Sequence, residues 1–154
     1  MALNAKDVLS GAQGVAFVTV EGNRYQLANL KNINARATKT KTQVSILGQT
    51  AKGNKATGWE GSGSMTMYFN TPIFRDLMVR YIKTGQDFYF DLQVTNDDPS
   101  SAVGRQTMIL RNCNLDSVLL VNLDADSDAL EEDMDFTFDD VDNPEVFAIL
   151  PELL

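Results

Sequence analysis

Two short runs in this chain carry residue types that could bind an ion or a phosphate. Asp124-Ala-Asp-Ser-Asp-Ala-Leu-Glu-Glu-Asp-Met-Asp135 sets carboxylates at positions one, three and five, where a calcium loop needs oxygen ligands. It departs at position six, where Ala129 replaces the turn glycine, and at position twelve, where Asp135 replaces a bidentate Glu. The flanks read as strands, not helices. An acidic solvated loop describes the run better, and a calcium-dependent binding module using Asp124–Asp135 is the rival reading. Gly48-Gln-Thr-Ala-Lys-Gly53-Asn-Lys55 has part of a phosphate-binding loop. However, Asn54 separates Gly53 from Lys55, Ala56 stands where a magnesium-binding hydroxyl belongs, and no helix follows. There is no histidine, which removes Ser-His-Asp and Cys-His nucleophiles and every histidine metal site. Cys113 is the single cysteine, so no intrachain disulfide forms, and its place in a strand reads as a packed thiol. Asp87 and Asp91 share a strand face at the spacing of ordinary solvent-facing alternation. Trp59, in Gly58-Trp-Glu-Gly61, reads as a loop anchor. These residues predict no enzyme, no cofactor and no metal site.

The elements that would position these groups are mostly strands. Gly14–Glu21 and Arg24–Leu30 are β-rich runs around Gly22-Asn23, a hairpin signal. Lys39–Leu47 alternates, with Thr40, Thr42, Val44 and Ile46 on one face and Lys39, Lys41, Gln43 and Ser45 on the other. Residues 48–63 are rich in Gly, Lys, Thr and Ser and read as a long loop, with one short pairing near Trp59. Ser64–Asn70 resumes a strand. One helix is predicted over about residues 72–83, with Thr71 as N-cap, Pro72 in the first turn and Gly85 as the stop. Its apolar stripe is Ile73, Phe74, Leu77, Met78, Tyr81 and Ile82. Asp87–Thr95 alternates strictly, with Phe88, Phe90, Leu92 and Val94 toward a core and Asp87, Tyr89, Asp91, Gln93 and Thr95 toward water. Arg105–Cys113, Leu115–Leu123 and Met134–Asp140 read as further strands, and Asn143-Pro144 as a break. The sum is a mainly β fold, a two-sheet sandwich or partial β-barrel with one flanking helix.

Charge is distributed unevenly. All 13 cations lie between Lys6 and Arg111, against eight acids there; residues 112–154 carry 13 acids and no cation. The first part is therefore net +5 and the second −13, for a total of −8. Such a chain can attract copies of itself head to tail. A net charge of −8 disfavours nucleic-acid affinity, which rests on phosphate contacts from Lys and Arg. No stretch is apolar enough to span a bilayer, and Met1-Ala-Leu-Asn-Ala-Lys lacks the apolar run of a signal peptide, so folding in a cytoplasm is expected.

Several segments in order resemble a known family. They are Arg24-Tyr-Gln-Leu, Val44-Ser-Ile-Leu-Gly48, Gly58-Trp-Glu-Gly-Ser-Gly-Ser64, Tyr81-Ile-Lys-Thr-Gly85, Phe88-Tyr-Phe-Asp91, Asn96-Asp-Asp-Pro99, Gly104-Arg-Gln-Thr107 and Glu131-Glu…Phe136-Thr-Phe-Asp139. Together, from about Gly14 to Phe147, they resemble the PBSX-type (XkdM-like) tail tube proteins of contractile-tailed phages and phage-tail-like bacteriocins. The resemblance implies one tail-tube domain over residues 1–154, with an N-terminal arm (1–13), a long loop (48–63) and a C-terminal tail (143–154). It implies a structural, non-catalytic subunit whose hexameric rings stack into a hollow tube. Its partners would be further copies and the sheath, baseplate and tail-terminator proteins. DNA would pass through without specific binding, and there would be no membrane anchor. The implied location is a virion tail or bacteriocin particle, assembled in the host cytoplasm. A type VI secretion tube (Hcp-like) protein is the related alternative.

With this frame, three sets of residues are expected to matter. Asp87, Asp91 and Gln93, with Tyr89 nearby, are expected to face the channel. Arg36, Lys39, Lys41, Lys52 and Lys55, with Lys31, are expected to meet Asp124, Asp126 and Asp128 of the next ring. Val146, Phe147, Ile149 and Leu150 are expected at a subunit boundary, because exposed on a monomer they would form an awkward apolar patch.

Overall fold

The computed structural model describes residues 3–153. Eight strands form an antiparallel array: β1 (Gly14–Val20), β2 (Asn23–Gln26), β3 (Leu30–Val44), β4 (Gly53–Tyr68), β5 (Phe90–Asp97), β6 (Arg105–Leu115), β7 (Glu131–Phe138) and β8 (Asp140–Glu145). The hydrogen-bonded order is β2-β1-β5-β6-β7-β4-β3, with β8 also paired to β6. Strand β6 joins the two halves. It pairs with β8 from Thr107 to Arg111 and with β7 only at Asn114 and Leu115. The halves meet over one core that includes Val18, Leu92, Leu110, Met65, Met67, Met134 and Phe136. The array does not close, because β2 and β3 are left as free edges.

Strand alternation sets the core. In β7 every second residue is buried, namely Glu132, Met134, Phe136 and Phe138. In β1 the buried set is Ala16, Val18 and Val20. The one α-helix among the described residues, α1 (Ile73–Thr84), buries Phe74 and Leu77 and stops at Gly85, whose φ of 74° is the left-handed C-cap conformation. Phe74 packs on Phe90 with ring centroids 5.3 Å apart. Pro72, not Thr71, occupies the N-cap position, without a side-chain cap. The apolar stripe is only half used, since Tyr81 and Ile82 are exposed.

Several sequence expectations are corrected. Residues 48–63 are not a long loop: β4 begins at Gly53 and pairs with β3 from Val44↔Gly53 to Leu30↔Met67. Composition misleads here because exposed strands show no apolar period. The glycines are a packing requirement instead. A Cβ on Gly63 would lie 2.6 Å from both the Asn34 carbonyl oxygen and the Phe136 ring, and one on Gly61 would lie 2.5 Å from the Phe138 ring. A bulge between Thr40 and Lys41 interrupts the alternation expected over Lys39–Leu47.

Leu115–Leu123 is not a strand; β6 ends at Leu115 and residues 116–130 have no regular structure. Beyond the buried Leu115 its apolar residues are consecutive rather than alternating, and of these only Val118 packs against the core. Asn143-Pro144 does not end the sheet, because β8 runs through it. Pro144 is tolerated on this short strand beside an irregularity in the β6 pairing. Thr95 is buried rather than wet, with its hydroxyl 3.0 Å from that of Thr107. The first hairpin turns at Glu21-Gly22, both at positive φ, one residue earlier than expected.

Candidate functional site

The β3–β4 hairpin outgrows its sheet. β7 covers β4 only from Gly61 to Tyr68. Beyond the pair Ala37↔Gly61 the two strands have no third partner, and from Thr38 to Val44 and from Asn54 to Glu60 every residue is exposed. This outer half is an arm of about 23 Å, at ~3.3 Å per residue. The arm and its root carry Arg36, Lys39, Lys41, Lys52 and Lys55 against a single acid, Glu60. Among the described residues none of these five cations forms an ion pair, whereas Lys31, Arg75, Arg80, Arg105 and Arg111 all do. The arm ends in apolar side chains: Val44 and Ile46 are exposed and Leu47 is fully so, at 102%. The partial phosphate-loop motif occupies this tip, followed by strand rather than helix.

The acidic residues lie at the other end of the same sheet. The first residue of β7, Glu131, sits opposite Tyr68, the last of β4. Leu130 accepts a hydrogen bond from the Phe69 amide, and the Asn122 side chain donates to the Glu131 carbonyl. Residues 118–130 are thus anchored at the foot of the sheet, while the tip lies about 50 Å away along β4 at ~3.3 Å per residue. Asp124, Asp126 and Asp128 are exposed there, and among the described residues none is ion-paired. The Asp124 carboxylate accepts the Asp126 amide at 3.0 Å. Asp135, the twelfth position of the calcium pattern, is instead on β7 opposite Ser64. No three His, Cys, Asp or Glu side chains among the described residues form a group able to hold a metal ion. Lys31, expected with the arm cations, belongs to the foot. It is 2.8 Å from Glu131, which holds its ammonium pKa above the usual value.

Of the expected channel residues, Asp91 and Gln93 lie on β5, whereas Asp87 precedes the strand. Asp91 accepts from the Asn112 amide and from Arg111, and Asp87 accepts from the Asn114 side chain at 2.9 Å. Arg111 lies between Asp91 and Asp142, so the face carries a cation among its acids and is net acidic there rather than uniformly so. In the tail, Leu150 is buried, Phe147 is half-buried, and Val146 and Ile149 are exposed. The Ala148 amide donates to the Val103 carbonyl at 2.8 Å, tying the tail to its own domain.

Sequence reasoning missed two features. The first is the docking of the N-terminal arm, whose residues 1 and 2 lie outside the described residues, as does residue 154 of the tail. Buried Asp7 accepts the Ala102 amide at 2.8 Å. Buried Asp98 accepts the amides of Ser10 and Ser100, and these bonds hold its carboxyl below the usual pKa. The Asp-Pro-Ser-Ser run around Asp98 is the signal for such a turn. The second is a buried ion pair. Glu132 is fully buried and receives Arg75 of α1 at 2.7 Å. Arg75 also donates to the Thr71 and Leu119 carbonyls and lies 4.1 Å from the Phe69 ring. Cys113 is buried as expected, and desolvation pushes its thiol up to about 12.

The profile of a family described as phage tail tube protein matches residues 1–145. The chain is 42% identical over 145 residues to the phage-like element PBSX protein XkdM of Bacillus subtilis (strain 168), covering 94% of this chain and 96% of the relative. Its fold is similar to a chain of the sheath–tube complex of an extracellular contractile injection system (PVC). The TM-score is 0.66 at 13% identity, covering 92% of this chain and 95% of that one. A chain of the anti-feeding prophage baseplate is similar to the same degree, with TM-score 0.66, 14% identity and coverage of 93% and 97%.

Proposed function

The chain belongs to the phage tail tube protein family, and on that premise we propose that its copies close into six-membered rings that stack, with one polarity, into a hollow tube. It is a structural subunit of a contractile-type tail tube, a component of the virion tail, and that role implies no catalysis. The observation that carries the polarity is the separation of unpaired charge, with five cations on the arm and three acids at the foot of the same sheet. A contact between unlike poles is heterologous, and such contacts propagate. Arg36, Lys39, Lys41, Lys52 and Lys55 of one ring then face Asp124, Asp126 and Asp128 of the next. Each exposed pair contributes only ~0–1 kcal/mol, but the sum over a ring is larger, and reversal would set like charges together.

The free β2 and β3 edges support lateral closure, since pairing with a neighbour removes an exposed edge. Asp87, Asp91 and Gln93, with Tyr89, face the channel in this reading, where a surface of net acidity lets DNA pass without binding. Val146 and Ile149 are the part of the tail left free for a subunit boundary, beside Phe147 and Leu150. Sheath, baseplate and tail-terminator proteins complete the set of partners, and assembly takes place in the host cytoplasm. Negative-stain microscopy of purified protein across concentration and salt tests the reading. Rings and tubes of uniform diameter are expected, assembling more slowly as salt rises. Particles that stay monomeric at all concentrations would overturn it.

A further inference from the structure

The two poles differ in charge, and both are also apolar. Just before Asp124 lies Leu119-Leu120-Val121-Asn122-Leu123, in which Val121 is 80% exposed, Leu123 is 92% exposed, and Leu119 and Leu120 are exposed as well. This strip does not wander. The Leu119 carbonyl accepts from Arg75 at 3.0 Å, and the Asn122 side chain is bonded to the Glu131 carbonyl. It is therefore an ordered aliphatic ledge with three unpaired acids beside it. The arm tip is its counterpart, with exposed aliphatics Val44, Ile46 and Leu47 flanked by Lys41, Lys52 and Lys55. Apolar centre with acidic margin meets apolar centre with basic margin. Within one chain the two cannot meet, because a continuous β ladder holds them about 50 Å apart, at ~3.3 Å per residue.

We propose that the tip Val44–Leu47 of one copy seats on the Leu119–Leu123 ledge of a second copy, with Lys41, Lys52 and Lys55 beside Asp124, Asp126 and Asp128. The proposal rests on the tube reading above and adds the apolar seat that locks the stacking contact. Charge steers the encounter and fixes polarity, while burial of Leu47, Val121 and Leu123 slows dissociation. Val44 and Ile46 both lie against Gly53, so the tip gathers its aliphatic side chains on one side of the hairpin end.

The full chain carrying both Leu47→Cys and Leu123→Cys tests this by mild oxidation after assembly. The native Cys113 is buried and does not interfere. A ladder of covalent multimers is expected on a non-reducing gel from the double variant, and monomers from each single variant. Leu47→Asp and Val121→Asp, both at exposed sites, should each raise the protein concentration needed for tubes about tenfold without changing the melting temperature. If tubes form but the double variant gives no ladder, the seat is wrong and the tube reading stands. The same holds if both aspartate variants assemble like the parent. If the parent chain forms no rings or tubes, the tube reading fails and this inference fails with it.

Discussion

The two halves of the β3–β4 hairpin are built from one ladder and live in different environments. The inner half, where Met65 and Met67 face inward and β7 covers β4, buries both methionines completely. The outer half, Thr38–Val44 with Asn54–Glu60, contains no buried residue and is held by its cross-strand hydrogen bonds, with one contact to the body where the Trp59 ring lies 6.0 Å from that of Phe138. An isolated two-stranded hairpin is marginal in water, so the outer half needs a second surface to be rigid. The contrast separates what makes this chain fold from what makes it assemble. Apolar burial and one buried ion pair hold the body, whereas unpaired charge and exposed aliphatics mark the arm and the foot.

The largest expected effect breaks the body. Glu132→Ala leaves Arg75 without its buried carboxylate, which costs about 3–5 kcal/mol, and urea denaturation of the monomer should show it. A loss under 1 kcal/mol would mean that the carbonyls of Thr71 and Leu119 alone satisfy Arg75. Gly63→Val, at the boundary between the halves, drives a side chain into the Asn34 carbonyl and the Phe136 ring, for about 1–3 kcal/mol of overpacking. An unchanged urea midpoint for this variant would show that the strands separate there without cost.

Acid should act on the N-terminal anchor. Asp98 has its pKa lowered in the folded state by the Ser10 and Ser100 amides. Its contribution is therefore complete above the ordinary carboxylate range and is lost as pH falls through the lowered value. Melting temperature followed downward from neutral pH should drop less steeply for Asp98→Asn than for the parent; equal slopes would remove Asp98 from the acid response. The smallest effect on stability belongs to the arm. Lys39→Glu with Lys41→Glu should change the unfolding free energy by less than about 0.5 kcal/mol, yet slow tube formation, with partial rescue by Asp126→Lys and Asp128→Lys. If assembly ignores both the reversals and the salt concentration, the arm works by apolar and main-chain contacts alone. Amide exchange sharpens the same contrast. Residues 54–60 should exchange faster than 61–68 in the monomer and become protected in the tube.

The sequence by itself determined the β class, the single helix closed by Gly85, the inward set Phe88, Phe90 and Leu92, and the segregation of charge. Each of these is local, because alternation, helical spacing and a left-handed stop depend on neighbours in the chain. Family membership was legible in the same way, from the order of short motifs. What only the tertiary structure decided is whatever depends on a distant partner. Residues 48–63 looked like a loop because periodicity reports a difference between a buried and a wet face, and the arm that holds most of them has no buried face to report. Gly61 and Gly63 looked flexible and instead make room for the Phe136 and Phe138 rings of another strand. Leu115–Leu123 looked like a strand, but past Leu115 its backbone pairs with no other strand, and the aliphatics became a ledge. Glu132 looked like one more solvated acid until the fold placed it under Arg75. The two charged poles were visible as composition; that they lie at opposite ends of one sheet followed only from the register that joins β3, β4 and β7.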